Sequence, residues 1–218
     1  MYIISMGRHE IKEFRRFQLI EATIDTVARK GFTDLTLADV ADAARLSRGI
    51  VNFYFRSKEE LLAETLRYMT HEYEKTWRET MSRAGSDPAV RLRVMVDGDF
   101  GPRTGSRKRV AVWYAFWGEA RWRPEYLRIC QEVSAQYFAE TRILVEAIVT
   151  EGGYSNLDAD LVARGLNAMI DGLWLDLLIE PKDVDRNIAK RCCYQFLAAH
   201  FPREFAGLMQ TQGAIAAA

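Results

Sequence analysis

The sequence predicts an all-α protein. Apolar residues recur at the spacing of one helix face along most of the chain. Proline occurs only 5 times in 218 residues, and so few helix breakers favour long helices over many short strands. Serine or threonine precedes several of the periodic segments, where a hydroxyl can cap the first turn of a helix. We therefore expect helices joined by short turns.

Composition excludes several classes of protein. Hydrophobic residues make up 49% of the chain, which argues against disorder. No stretch approaches the roughly 20 apolar residues that span a bilayer, so we expect a cytoplasmic protein with no membrane partner. The 3 cysteines lack the spacing of metal ligands, and the sequence predicts neither a metal site nor a cofactor. The net charge is zero, so binding to nucleic acid requires a local basic cluster.

Three helices are predicted near the N-terminus. The first covers residues 10–31. The second and third cover residues 37–44 and 48–54, with Thr36 and Ser47 as their N-caps. Because only a short turn separates the two short helices, they form a helix-turn-helix.

The rest of the chain predicts six further helices, most of them longer. Ser57 and Glu60 have the spacing of a capping box at the start of the first one. These helices cover residues 58–81, 89–99, 107–121, 124–150, 158–179 and 183–200. The order of elements predicts a three-helix helix-turn-helix domain at residues 1–56, a larger helical domain at 57–210 and a loose tail at 211–218.

The strongest pattern lies in residues 36–62. Its inward face is apolar, and the small side chains of Ala41 and Ala44 allow the two short helices to cross closely. Between Ala43 and Lys58 there are four basic residues and no acidic one. Such a local excess of positive charge is expected of a helix that lies in the major groove of double-stranded DNA.

These residues resemble the TetR family of bacterial repressors. The shared pattern consists of Thr36, Val40-Ala41, Ala44, Leu46-Ser47, Gly49, Tyr54-Phe55, Lys58-Glu59 and Leu61. Two positions depart from it, because Arg45 stands at a turn position where the family usually has glycine, and Asn52 replaces a tyrosine. Arginine adopts a positive φ only at a cost of about 1 kcal/mol. Asn52 can instead pair with adenine, so the base preferences of the family are not carried over.

The resemblance implies a set of DNA contacts. Thr36 and Tyr54 are implied as phosphate contacts, and Asn52 and Phe53 are expected to face the bases. Lys58 adds positive charge at the start of the next helix. Phe55 is expected to pack in the core instead. The predicted contacts with operator DNA are Thr36, Arg45, Ser47, Arg48, Gly49, Asn52, Phe53, Tyr54 and Lys58.

Two aromatic segments indicate a binding site for a small molecule. Residues 107–122 contain five large aromatic side chains, which is unusual for a helix exposed to water. Asp171 and Trp174 place a carboxylate and an indole on one helix face within an apolar run. Aromatic faces and a carboxylate are the groups that bind a quaternary ammonium ion. The alternative is that the aromatic rings fill the core between helices.

These segments resemble the BetI type within the TetR family, the choline-responsive repressors of glycine-betaine synthesis. The similarity runs from about residue 11 to residue 202, and it includes Gln18 to Thr23, Gly49 to Val51 and Ile170 to Leu175. It implies a repressor that leaves its operator when a small-molecule effector binds, with a choline-like cation as the candidate. The predicted ligand-binding residues are Trp113, Phe116, Trp117, Asp171 and Trp174, with Asp99, Glu119 and Tyr137 as further candidates.

The last two predicted helices are apolar on more than one face. One chain cannot cover both apolar stripes, so we expect a homodimer in which two copies form a four-helix bundle. The residues expected to pair with the second copy are Leu161, Leu166, Met169, Leu173, Leu177, Ile188, Cys192, Phe196 and Ala199.

Two other functions stay open. The same architecture could sense a pyrimidine-derived, polyamine or acyl ligand, or its C-terminal domain could serve only to dimerise or to dock another protein. An enzyme is not expected, because the sequence contains no HExxH motif, no GxSxG motif and no glycine-rich phosphate loop.

Overall fold

The computed structural model describes residues 7–213, and all regular secondary structure in that range is helical. None of the helices in this range is long and apolar enough to cross a membrane. The helices are α1 (Arg8–Lys30), α2 (Leu37–Ala44), α3 (Arg48–Tyr54), α4 (Lys58–Ser82), α5 (Pro88–Asp99), α6 (Arg107–Ala120), α7 (Pro124–Gly152), α8 (Ala159–Ile179), α9 (Arg186–His200) and α10 (Pro202–Gly213). The predicted all-α class is confirmed.

The helix starts follow local capping chemistry. Thr36 Oγ1 accepts a hydrogen bond of 3.2 Å from the backbone N–H of Asp39 and caps α2. Ser47 and Ser57 cap α3 and α4 in the same way, with hydrogen bonds from Ile50 and Glu60 of 3.4 and 3.1 Å. Each hydroxyl satisfies a backbone donor that has no partner inside its own helix. These caps confirm the three helix starts predicted at residues 37, 48 and 58.

The chain forms two compact units. Unit 1 comprises Met1–His71 and Ala111–Cys130, and unit 2 comprises Glu72–Val110 and Gln131–Ala218. Helices α4, α6 and α7 therefore each contribute residues to both units. The two units group residues that are close in space, and their bounds therefore differ from the division into functional domains predicted at residues 56 and 57. That functional division stays a prediction.

Each described unit has its own apolar core. In unit 1, the buried side chains come from α1 to α4 and from the later segment of residues 111–130, and they include Leu19, Ile24, Val51, Phe55, Leu62 and Phe116. In unit 2, α8 and α9 pack closely where Gly165 faces Phe196, since a Cβ at that glycine would lie 3.1 Å from the ring. This approach leaves little room for any side chain at position 165.

The C-terminal end differs from the prediction. Helix α10 was not predicted, and it extends the helical structure through the first residues of the segment expected to be loose. Pro202 occupies its first position, where proline is well tolerated because it lacks only a backbone donor that has no partner there. The rest of the predicted tail, residues 214–218, lies outside the described residues.

Candidate DNA-binding face and ligand cluster

Helix α3 exposes one face and buries the other. Ser47, Arg48, Gly49, Asn52 and Phe53 are exposed, and this set is called the α3 face below. Val51 is buried in the core of unit 1, and so is Phe55, as expected from the sequence. Phe53 is 77% exposed, which is unusual for a large apolar side chain and typical of a contact surface.

The turn before α3 is built on a left-handed residue. Arg45 has φ 55° and ψ 43°, and it is the one residue other than glycine with a positive φ in the part of the chain described. Its backbone N–H bonds to the carbonyl of Asp42 at 3.1 Å, and that of Leu46 bonds to Ala41 at 2.9 Å. Gln18 of α1 donates to the carbonyl of Ala44 at 2.7 Å. These bonds hold the strained turn and thereby set the direction of α3.

Three of the predicted DNA contacts already have partners within the protein. Thr36 Oγ1 donates to Asp39 at 2.8 Å. Lys30 forms an ion pair with the same carboxyl. The contacts with Lys30 and Thr36 together lower the pKa of Asp39 to about 2. Lys58 donates to the carbonyl of Thr33 at 3.1 Å, and the half-buried Tyr54 packs edge-to-face on Phe53. Their contacts with phosphate stay predictions.

The predicted ligand residues fall into two groups. Trp113, Phe116 and Trp117 belong to unit 1, whereas Asp171 and Trp174 belong to unit 2. The indole rings of Trp113 and Trp117 have centroids 6.0 Å apart on α6. Phe116 is completely buried and packs edge-to-face against Phe32 and Tyr126, at 5.4 and 5.5 Å. Phe116 therefore packs in the core of unit 1, and its position does not support the predicted contact with a ligand.

Within unit 2, a buried carboxylate lies among aromatic side chains. Asp99, at the end of α5, is 1% exposed. It accepts a hydrogen bond of 2.7 Å from the hydroxyl of Tyr73 on α4 and another from the hydroxyl of Tyr137 on α7. The indole N–H of Trp174 on α8 donates to the backbone carbonyl of Asp99 at 3.1 Å. These four residues and Asp171 form what we call the Asp99 cluster.

The two carboxyls of the cluster have raised pKa values. Burial raises the pKa of Asp99 to about 7, against the opposing effect of the hydrogen bonds from Tyr137 and Tyr73. The pKa of Asp171 rises to about 6, also by desolvation, and its charge raises that of Asp99 further. Asp171 is nevertheless accessible to solvent.

A tight loop supports the cluster. Residues 101–106 follow Asp99, and the hydroxyl of Thr104 donates to the carbonyl of Gly98. A Cβ at Gly105 would lie 2.6 Å from the carbonyl oxygen of Asp99, so only glycine fits there without a shift of the backbone. The loop therefore fixes the backbone from which the buried carboxyl projects.

The structure extends the set of residues found from the sequence. Asp171 and Trp174 were predicted, and Asp99 and Tyr137 were named as further candidates. Tyr73 was not among the predicted ligand residues, because its spacing matches the apolar stripe of α4, which includes Leu62, Leu66 and Met69. The signal that could have found it is its hydroxyl, which needs a hydrogen-bond partner when the ring is buried.

Comparisons with known proteins identify the family of the chain. Residues 19–65 match the tetR family of bacterial regulatory proteins, and residues 88–202 match the C-terminal domain of BetI-type transcriptional repressors. The chain is 35% identical over 206 residues to the HTH-type transcriptional regulator BetI of Paraburkholderia xenovorans, covering 88% of this chain and 96% of that protein.

Two solved structures have the same fold. A transcriptional regulator from Pseudomonas aeruginosa PAO1 is 26% identical with a TM-score of 0.75, covering 88% of this chain and 94% of that one. A transcriptional regulator from Saccharomonospora viridis, solved in complex with choline, is 20% identical with a TM-score of 0.75, covering 85% of this chain and 96% of that one. The chain belongs to the TetR family of DNA-binding transcriptional regulators, with a C-terminal domain of the BetI type, and this family does not consist of enzymes.

Proposed function

We propose that the protein is a repressor that binds operator DNA as a homodimer and is released by a small organic cation, with choline as the first candidate. The observation that carries this proposal is the Asp99 cluster, in which carboxyls and aromatic rings lie together in unit 2; all its members except Tyr73 fall within the BetI-type domain. Cations without N–H donors are bound through aromatic faces and a nearby negative charge. The choline complex of the Saccharomonospora viridis protein supports the same class of ligand.

The α3 face is the proposed reading surface for DNA. It combines a cationic side chain, a serine hydroxyl and an asparagine amide, which can contact phosphates and base edges. Gly49 lies between them with open space around it, since a Cβ there would meet only Ser47 Oγ at 3.8 Å. A glycine that the free protein does not require is consistent with close approach of DNA at this position.

The proposed dimer uses the exposed sides of α8 and α9. Leu161, Ile179 and Ile188 are 66%, 60% and 39% exposed, which is unusual for such side chains in a protein without a partner. Two of the residues assigned to the dimer from the sequence, Leu166 and Leu177, are instead buried within the chain, at 1% and 7% exposure. Their side chains point into the core of the same chain, because the residues predicted for the dimer also included positions on the inward face of α8.

We propose that the effector acts on DNA binding through α4. This helix begins at Lys58, directly after the helix-turn-helix, and carries Tyr73 of the Asp99 cluster about four turns later. An effector that displaces Tyr73 would change the position of the helix and so the separation of the two recognition helices in the dimer. Coupling of this kind amounts to about 1–3 kcal/mol in typical switches.

Calorimetric titration with choline tests the ligand proposal, with glycine betaine as the control. We expect saturable binding of choline, and at least tenfold weaker binding in Asp171→Ala and in Trp174→Phe. The matched control is Asp176→Ala, which removes another carboxyl of α8 that lies outside the cluster. Normal binding in all variants would place the ligand elsewhere, and no binding to the wild type would leave a DNA-binding regulator with another effector.

A further inference from the structure

Asp99 is a buried carboxyl without a basic counter-ion. Its side-chain oxygens accept hydrogen bonds from the hydroxyls of Tyr73 and Tyr137, which are neutral donors. No ion pair in the described part of the chain includes it. An ionised carboxylate in this setting is costly, because burial removes most of its hydration and two neutral hydrogen bonds restore only part of it.

The basic residues near the cluster are paired with other carboxylates. Lys190 of α9 forms a 3.0 Å ion pair with Asp97, and Arg109 of α6 forms one of 3.0 Å with Glu72. Redirecting either cation toward Asp99 would break an existing pair. A proton, or a cation that enters the site, would neutralise Asp99 without breaking either pair.

The titratable groups that face Asp99 are all acidic or neutral. Among the described residues they come from four helices: Tyr73 from α4, Tyr137 from α7, Asp171 from α8 and Cys193 from α9. Burial raises the pKa of the Cys193 thiol to about 12 and holds those of both tyrosines well above their usual value, so these groups stay neutral near pH 7. Asp171 is the only one of them that titrates near neutrality, and its negative charge disfavours ionisation of Asp99.

We propose that Asp99 holds a proton in the ligand-free protein and that a cationic effector displaces this proton, so that effector binding releases one proton to the solvent. The proposal rests on the cation-binding function proposed above. The O–H bond of the carboxyl breaks, the proton passes to water or buffer, and the carboxylate becomes the counter-ion of the bound cation. The two tyrosine hydroxyls donate to the carboxylate in the complex, and one phenol oxygen can accept the carboxyl proton in the free protein.

The proposal sets the pH dependence of effector affinity. The pKa of about 7 for Asp99 means that the proton is present on most molecules at pH 6 and on few at pH 8. Choline affinity is expected to rise about tenfold for each pH unit up to 7 and then to level off. Below pH 6 the dependence steepens, because Asp171, with a pKa of about 6, takes up a proton as well.

Choline titrations in buffers with different ionisation enthalpies measure the released protons directly. At pH 6 we expect slightly more than one proton per choline, because Asp171 is partly protonated there as well. At pH 7 we expect about half a proton, and at pH 8 few. Asp99→Asn should abolish most of the release at pH 7 and most of the rise in choline affinity between pH 6 and pH 7. Asp176→Asn, which changes a carboxyl of α8 outside the cluster, is the matched control and should keep the release of the wild type.

A second variant keeps the test decisive if Asp99→Asn does not fold. Tyr137→Phe removes one donor that favours the ionised carboxylate, so the pKa of Asp99 should rise and more protons should be released at pH 7 than in the wild type. Choline binding without any proton release would overturn the proposal and leave the cation-binding function intact. An absence of choline binding at pH 8, where Asp99 is ionised, would overturn both.

Discussion

The α3 face and the Asp99 cluster obey different physical rules. The α3 face is contained within a few consecutive residues, is exposed, and is positioned by caps and a turn that are local in sequence. The cluster is centred on a buried carboxyl and joins residues from four helices, with Asp99 and Trp174 separated by 75 positions. The comparison teaches that a DNA-reading surface can be specified by local geometry, whereas a ligand site in a helical domain depends on the packing of distant segments.

The largest expected effect concerns the buried carboxyl of Asp99. In Asp99, the folded-state pKa of about 7 exceeds the ordinary value of 3.8, so the protonated carboxyl contributes stability below about pH 4, and this contribution is lost as pH rises to 7. The free energy of unfolding of the wild type relative to Asp99→Asn should therefore fall by about 3 kcal/mol between pH 5 and pH 8. Urea unfolding of both proteins at the two pH values measures it. Parallel pH profiles would show that Asp99 is not buried as a neutral acid.

The next largest effect concerns the exposed α3 face. Arg48 is exposed on α3 and makes no hydrogen bond or ion pair within the described residues, so Arg48→Glu should leave the fold intact. Operator affinity should fall about 100-fold, because a favourable phosphate or base contact becomes a repulsive one. Fluorescence anisotropy on a duplex selected from a random library measures this loss. Arg83→Glu, an equal charge change at an exposed site in unit 2, should bind DNA nearly normally; equal losses in both variants would indicate an unspecific charge effect.

A smaller effect separates folding from DNA binding at one position. Gly49→Ala adds a methyl group in open space on a helix, which should stabilise the free protein by about 0.5–1 kcal/mol. Operator affinity should nevertheless fall about tenfold, because the added methyl group would occupy space used by DNA. Thermal unfolding and anisotropy on the same sample give the two values. An unchanged operator affinity would remove Gly49 from the proposed reading surface.

The smallest effect concerns the strained turn. Arg45 has a positive φ, so Arg45→Gly should raise the free energy of unfolding by about 1 kcal/mol. Arg45→Ala removes the same charge and keeps the strain, so it should not stabilise the protein. If both variants unfold alike in urea, the backbone at position 45 carries no strain.

The sequence allowed accurate prediction wherever the determinants were local. The caps at Thr36, Ser47 and Ser57 follow from side-chain chemistry within a few residues, and the structure agrees with each. The turn position of Arg45 came from the family resemblance, and its φ is positive. The aromatic residues of α6 were assigned jointly to a ligand site, yet Phe116 packs in the core of unit 1. Helical periodicity identifies a buried face but does not reveal its neighbours.

The same reasoning explains the omission of Tyr73 and of α10. The ring of Tyr73 fits the apolar stripe of α4, and only its contact with Asp99, on another helix, reveals the role of its hydroxyl. Helix α10 begins at Pro202, two residues after the end of the last predicted helix, and proline is favoured at the first position of a helix. Both errors arise where one local pattern is compatible with two tertiary environments.

The most direct test of the link between the two regions is operator affinity with and without saturating choline at pH 8, measured on the wild type and on Trp174→Phe. Choline should weaken operator binding by the wild type about 5- to 150-fold. The same choline concentration should have a much smaller effect on Trp174→Phe, whose operator affinity without choline should be normal. Choline binding by the wild type without any change in operator affinity would contradict the proposed coupling between the Asp99 cluster and the α3 face.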